Sequence, residues 1–406
     1  MLNDVSKLFT KVGQPGRRDD DVFDKISRRW TVILMAVFLL AITSKHYFGD
    51  PIECWTPAEF KGSHNDYVKH YCWITYTYHV PNNITLNRNT LREFRTSYYI
   101  WIPFIFTLSA LLFYIPCWVW HSLGRRARYD LPRVLSLAAK SVDSSDKLDS
   151  IVIYYDKKSK YIKYHDKRII SRITKCVFSP IGGGTVTAIY LFTKSLYLIN
   201  AVGHFFLLNF MLGFDYHTYG WHVLKALIVG HDWEESRHFP RTTYCDIGVR
   251  YKGDNLNNYT VQCVLPVNLF HEKIFAILWF WFAFVAILTM LGIIYWTLLM
   301  TRRGRLSYVR RHLRLQELAG GSRQHLRYPS PLSDSRFEKF FNSYLGGDGV
   351  LLLRLVGKNS SRTLAGELLN KLWLNFLQNN AAPSSSYSTE SDSAVTESLL
   401  AANKNH

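Results

Sequence analysis

The hydropathy of the chain rises four times. The first apolar run, Trp30 to Ile42, reads WTVILMAVFLLAI and follows Arg28 and Arg29. It is shorter than the ~20 residues a lipid-facing helix prefers and has the length of a signal-peptide core. No small-residue cleavage pattern follows it in Thr43-Ser44-Lys45-His46-Tyr47, so it is read as an uncleaved first helix extended to about Phe48. The second run, Tyr98 to Trp120, reads YYIWIPFIFTLSALLFYIPCWVW and is aromatic at both ends, as a membrane interface favours. Pro103 and Pro116 remove backbone donors within it, which predicts a kink at each. The third, Thr185 to Leu212, carries Thr187, Lys194, Ser195, Asn200, His204 and Asn209. A lysine in a span is costly against lipid. Lys194 is therefore read as paired inside the bundle or extended to the inner surface, in preference to a pore residue. The fourth, Lys273 to Met300, contains ILWFWFAFVAILTMLGIIYW and stops at Arg302, Arg303 and Arg305.

The pattern predicts an all-α membrane protein with four transmembrane helices, at 29–48, 98–121, 185–212 and 273–300. Between them lie an N-terminal segment (1–28), outer loops (49–97 and 213–272), an inner loop (122–184), a helical tail (301–378) and a disordered end (379–406). In Met1 to Thr10 the residues Leu2, Val5, Leu8 and Phe9 fall at helical spacing. Taken alone, that segment reads as an interfacial or frayed inner end, being too short to hold a helix in water. In the inner loop, Leu131 to Leu137 and Leu148 to Ile162 carry apolar periodicity and make a folded appendage. In the tail, Leu364, Leu368, Leu369, Leu372, Trp373 and Phe376 share a helical face behind a Ser361 cap. Gly182, Gly183 and Gly184 lack the Lys-Ser/Thr of a phosphate loop and read as a hinge.

Charge orients the chain. Of 49 Lys and Arg, the segments 1–29, 122–184 and 301–406 hold 36, whereas the outer loops 47–97 and 213–272 hold 5 each. That is the positive-inside asymmetry of a four-pass chain with both termini cytoplasmic. The net charge of +18 does not point to nucleic acid, because the aromatic residues lie mainly in the apolar runs and the acidic outer loops. No paired carboxylates or nucleophile and base stand together inside the spans, so no catalytic site is expected. His217, His222, His231 and His238 are not spaced as a compact metal-ligand set, and neither metal nor cofactor is expected.

Six cysteines divide into Cys54, Cys72, Cys245 and Cys263 in the outer loops and Cys117 and Cys176 near the reducing side. Four cysteines allow three pairings, and composition does not choose. The separation within each loop is the same, eighteen positions. Antiparallel strands from the two loops would make that equality a register requirement, which favours Cys54 with Cys263 and Cys72 with Cys245. Bridges between loops would give a rigid outer head, with short β-strands opposite a helical cytoplasmic dome.

Several separate segments resemble one family. Pro51-Ile52-Glu53-Cys54-Trp55-Thr56-Pro57-Ala58-Glu59-Phe60, Tyr71-Cys72-Trp73-Ile74 and Tyr259-Thr260-Val261-Gln262-Cys263-Val264-Leu265-Pro266 look like the outer loops of innexins, the invertebrate gap-junction proteins. Tyr98, Tyr99, Trp101 and Pro103 are similar to the family's YYQWVP signature, with Ile100 in place of glutamine and Ile102 in place of valine. The resemblance covers about residues 1–310. It implies a four-helix subunit assembling with other innexin subunits, typically as an octamer, around a wide pore in the plasma membrane. Two such hemichannels dock across adjacent cells through the braced loops and pass ions and small metabolites. The resemblance also places the N-terminal residues Met1, Leu2, Asn3, Asp4 and Val5 in the pore funnel. Neighbouring readings are a non-junctional channel of pannexin type and a four-span adhesion or scaffold protein without a pore. Two outer-loop sequons, Asn83-Ile84-Thr85 and Asn258-Tyr259-Thr260, bear on docking, since a glycan at the rim would hold opposed hemichannels apart.

Overall fold

The structure is a computed structural model that describes residues 21–80, 95–126, 131–140, 145–165, 184–230, 238–250, 256–319 and 335–380. Met1 to Val5, Asn83 and the end beyond 380 therefore lie outside the described residues. The chain divides into a membrane unit (1–132 and 170–301) and a second unit (133–169 and 302–406).

The membrane unit opens with a short helix α1 (Val22–Lys25), which passes through a π turn (Ile26–Trp30) into α2 (Thr31–Phe48). The helical path thus begins at Val22, several residues before the apolar run, because Asp21 caps it by accepting the Val22 N–H at 2.9 Å. After the outer-loop elements β1 (Glu53–Trp55), α3 (Gly62–Ile74), β2 (Thr77–Tyr78) and β3 (Arg95–Thr96), a 3-10 turn (Tyr98–Ile100) leads into α4 (Ile102–Arg126). Pro103 lies in the first turn of α4, where its missing N–H has no intrahelical acceptor to lose, so no kink is required there. Pro116 does fall inside the helix.

In the second unit α5 (Leu131–Lys140) and α6 (Ser145–His165) come from the inner loop. The third span, α7 (Thr185–Leu212), ends at Gly213, whose φ of 74° turns the chain into α8 (Tyr216–Val229). A hairpin of β4 (Thr242–Arg250) and β5 (Leu256–Val264) then feeds α9 (Pro266–Met300). Among the described residues, four helical stretches are long and apolar enough to cross a membrane: Val22–His46, Ile102–Gly124, Thr185–Leu212 and Pro266–Met300. The last has 35 residues. At 1.5 Å per residue it runs ~50 Å against a hydrocarbon core of ~30 Å, so part of it stands in the loop head.

One continuous apolar core joins bundle and head. It runs from Met35, Phe113, Leu208 and Val285 to Tyr99, Cys72, Cys245 and Cys263. The outer loops are consequently an extension of the bundle's own packing.

The second unit continues with α10 (Arg302–Ala319), α11 (Ser335–Lys339), a π turn (Phe340–Leu345), α12 (Gly346–Asn359) and α13 (Arg362–Asn380). Leu364, Leu368, Leu369, Leu372, Trp373 and Phe376 are all buried, and Ser361 Oγ accepts the Thr363 N–H at 3.3 Å. Phe340 meets Trp373 edge-on at 4.9 Å, and Tyr155 of α6 donates to the Leu345 carbonyl at 3.0 Å. Inner loop and tail therefore share a single core.

Candidate functional site

The sheet order is β1-β5-β4-β2-β3, antiparallel throughout. Two strands of one hairpin, β4 and β5, come from the second loop, and the strands on either side come from the first. The first loop thus clasps the second at both edges, and neither β5 nor β4 is left as a free edge along its paired length. Alternation places Thr243, Cys245 and Ile247 of β4 and Val261 and Cys263 of β5 inward.

Cys54 pairs with Cys263 in the β1–β5 ladder, and their sulfurs are bonded. Cys72 is bonded to Cys245. The reason is not the register requirement that the equal spacing suggests. Cys72 sits on α3, where Val68 and Cys72, one turn apart, make the helix's buried face against the sheet. Cys245 and Cys263 lie on adjacent strands of one hairpin, with Cys245 opposite Val261 and Cys263 opposite Thr243. Only one bridge closes across a ladder; the other ties helix to sheet, so the shared separation of eighteen carries no geometric meaning. The sulfurs of Cys54, Cys72 and Cys263 all lie within 4.8 Å of one another, which sets the two bridges side by side.

The signature at the second span packs under this head. Tyr99 is fully buried and stacks on Trp73 of α3 at 4.6 Å. Trp73 in turn meets His46 of the first span edge-on at 5.3 Å. Tyr98 donates to Asn268 Oδ1 of α9 at 3.4 Å, and Asn268 Nδ2 donates to the Pro240 carbonyl at 2.8 Å. Trp101 is 61% exposed and points away from the protomer's core. Each of Tyr98 and Tyr99 thereby fixes one part of the head to the bundle, while Trp101 is left for lipid or a neighbouring subunit.

Polar groups in the head are held by named partners. Tyr78 donates to Asp246 at 2.9 Å, and Thr260 donates to the same oxygen at 2.7 Å. Burial, and then the hydrogen bond to the Asp246 carboxylate, hold the Tyr78 phenol above its usual range. Tyr219 of α8 is pushed up likewise by burial and the charge of Glu272, whose carbonyl it bonds. Both phenols are donors at every physiological pH. Asn258 is exposed on β5 opposite Gly248, two positions along the strand from its first residue, Leu256.

A second polar cluster lies at the inner end, and the sequence reading did not assemble it. Lys194 is 1% exposed and donates to both carboxylate oxygens of Asp24 at 2.8 Å. Asp21 Oδ2 stands 3.8 Å from the same ammonium and accepts the Trp296 indole N–H at 2.6 Å. Lys194 is therefore paired inside the bundle. The available signal was helical spacing: Asp21, Asp24 and Arg28 continue the first helix backwards at intervals of three and four. Asp21 and Asp24 are also the acidic residues nearest the start of that helix.

The family model described as Innexin matches residues 20–376 of this chain. Innexin unc-9 of Caenorhabditis elegans is 34% identical over 370 residues, covering 89% of this chain and 93% of that protein. Innexin-19 of Caenorhabditis briggsae is 31% identical over 388 residues, covering 90% and 88%. Innexin-3 of Caenorhabditis elegans is 32% identical over 391 residues, covering 93% and 89%.

Proposed function

The chain belongs to the innexin family, and from that premise we propose how its parts divide the work of a gap-junction channel. It is a channel-forming, multi-pass plasma-membrane protein that acts with other innexin subunits, and it is not an enzyme. Our reading is that eight copies ring a wide, water-filled pore. Such a pore selects by diameter and lining charge rather than by chemistry. Met1, Leu2, Asn3, Asp4 and Val5 line its inner funnel, and the α5, α6 and α10–α13 unit forms a cytoplasmic dome.

The observation that carries this reading is the clasped sheet. A hairpin held between two strands of another loop, with two bridges beside each other, is stiff enough to present its tip as a docking rim. Docking against a second rim needs such preorganisation, because a loop ordered only on contact would lose affinity to its own entropy. Imaging of the purified complex down its symmetry axis tests the ring: eight subunits around an aqueous passage support it, and a solid centre removes it.

Asn258 and Asn83 carry the sharper question. Asn258 is exposed near the hairpin tip, so a glycan there would stand between opposed rims, and the chain would work as an undocked hemichannel. Enzymatic deglycosylation with a gel readout, followed by recordings from paired cells, decides it. A mobility shift with junctional conductance restored in Asn258→Gln supports the glycan block. Unchanged mobility with conductance already present assigns the chain to docked channels.

A further inference from the structure

Eleven residues at the root of the first helix, from Asp21 to Thr31, reach all three other spans. Toward α7, Asp24 holds Lys194 through two bonds of 2.8 Å. Toward α9, Asp21 accepts from Trp296 at 2.6 Å, Thr31 accepts from the Trp281 indole at 2.9 Å, and Phe23 lies against Gly292. A Cβ at Gly292 would come within 3.1 Å of the Phe23 ring. Toward α4, Arg28 donates to Cys117 Sγ at 3.2 Å. The Tyr190 ring lies 5.0 Å from the Lys194 ammonium and packs edge-on against Trp296 at 4.9 Å, closing the cluster from the side. The π turn Ile26–Trp30 sits in the middle of this stretch, where it rotates the residues that follow relative to those before.

A buried ion pair is a poor source of net stability, since apolar residues of the same volume often do as well or better. What it does supply is one geometry: an ammonium with two short bonds to one carboxylate cannot slide by a turn without leaving a buried charge bare. We propose that Lys194 is a positioning residue, and that its charge latch to Asp24 and Asp21 holds the root of the first helix and so sets the closed–open equilibrium of the channel. The proposal rests on the reading of this chain as a subunit of a gated channel; whether the residues preceding Asp21 line the pore is tested separately below. Held by the latch, α1 and the π turn keep one register against α7 and α9; released, they can take others.

The test uses full-length protein expressed in cells and two variants that leave no charge unpaired. In the first, Lys194→Met, Asp24→Leu and Asp21→Asn are combined. In the second, Lys194→Asp and Asp24→Lys exchange the partners. Native gels report assembly, and voltage-clamp currents report the closed–open equilibrium. The apolar variant is expected to assemble normally with its equilibrium shifted about tenfold or more, the size of a typical coupling between sites, and the exchanged variant to return most of the way. A Val5→Cys reporter, with the parent chain as control, reads placement through its rate of block by a thiol reagent, expected to change in the apolar variant. Reactive Val5→Cys with rate and gating unchanged overturns the latch, as does failure of both variants to assemble, which would leave the cluster as a folding element only. Val5→Cys that is inert in every background while gating still shifts sinks the funnel reading and leaves the latch standing.

Discussion

Breaking the bridge between Cys72 and Cys245 gives a test whose outcome depends on the pairing itself. The bond closes a separation of 173 residues, and in a free chain the entropy of such a loop is worth about 5 kcal/mol. In a bilayer the spans stay inserted, so the ends are partly confined before the head forms. About 2–4 kcal/mol is then the expected loss, within the usual range for a native disulfide. Both cysteines are 0% exposed, so Cys72→Ser adds a buried hydroxyl at a further cost of about 1–3 kcal/mol and should abolish coupling outright. Cys72→Ala avoids that addition. Thermal melting of the purified protein should fall by roughly 5–15 °C for Cys72→Ala and by nearly the same amount for Cys245→Ala. The double variant should fall no further, because one bond cannot be lost twice. Cys72→Ala with Cys263→Ala should instead approach the sum of two bridge losses. Additive losses for Cys72 and Cys245, or normal junctional current in Cys72→Ser, would refute the reasoning.

Three further outcomes follow from the geometry. A Cβ at Gly220 of α8 would fall inside the Trp279 ring, so Gly220→Ala must displace Trp279 and break its 3.0 Å bond to the His217 carbonyl; overpacking and the lost bond together cost about 2–4 kcal/mol, seen as reduced melting temperature and surface expression. Burial, then the charges of Arg311, Arg354 and Arg362, hold His312 of α10 below the ordinary imidazole value of 6.5. The unfolded chain therefore binds a proton before the folded one does, and this group lowers stability as pH falls through about 6.5 while contributing nothing above it; melts at pH 7.5 and 5.5 should show the difference, reduced in His312→Gln. Lys371 and Asp149 pair at 2.6 Å on the surface of the second unit, and Lys371→Met should change the melting free energy by under ~1 kcal/mol.

The spans were legible because lipid imposes a length and a polarity that no other environment does, and α7 and the last residue of α9 fall where the hydropathy places them. The outer loops were harder for a definite reason. Helix α3, GSHNDYVKHYCWI, buries only Val68 and Cys72, too few apolar positions to announce a period against polar neighbours. In α8, by contrast, Tyr216, Tyr219 and Val223 do repeat at helical spacing; its short length, just beyond a span, hid it. The cysteine spacing suggested a ladder, and the ladder exists, but through β1 alone. At the inner end, Lys194 demanded a partner on another helix. Asp21 and Asp24 were not marked as that partner, because their burial depends on where α7 and α9 pass, which is long-range information. The tail helix α13 was plain, since six apolar residues repeat on one face behind a serine cap.

The clasp also constrains how the protein is made. Its bridges join positions 173 and 209 residues apart, and translation proceeds at about 5–20 residues per second. Cys54 and Cys72 therefore wait in the lumen, reduced and near each other, for something like ten to forty seconds before their proper mates emerge. During that interval the only disulfide open to them within the chain is with one another, which would close the first loop on itself and bar the hairpin from its slot. Maturation of this subunit is thus a race between premature oxidation and arrival of the second loop, and a thiol-isomerase activity in the secretory pathway is the natural arbiter of its yield.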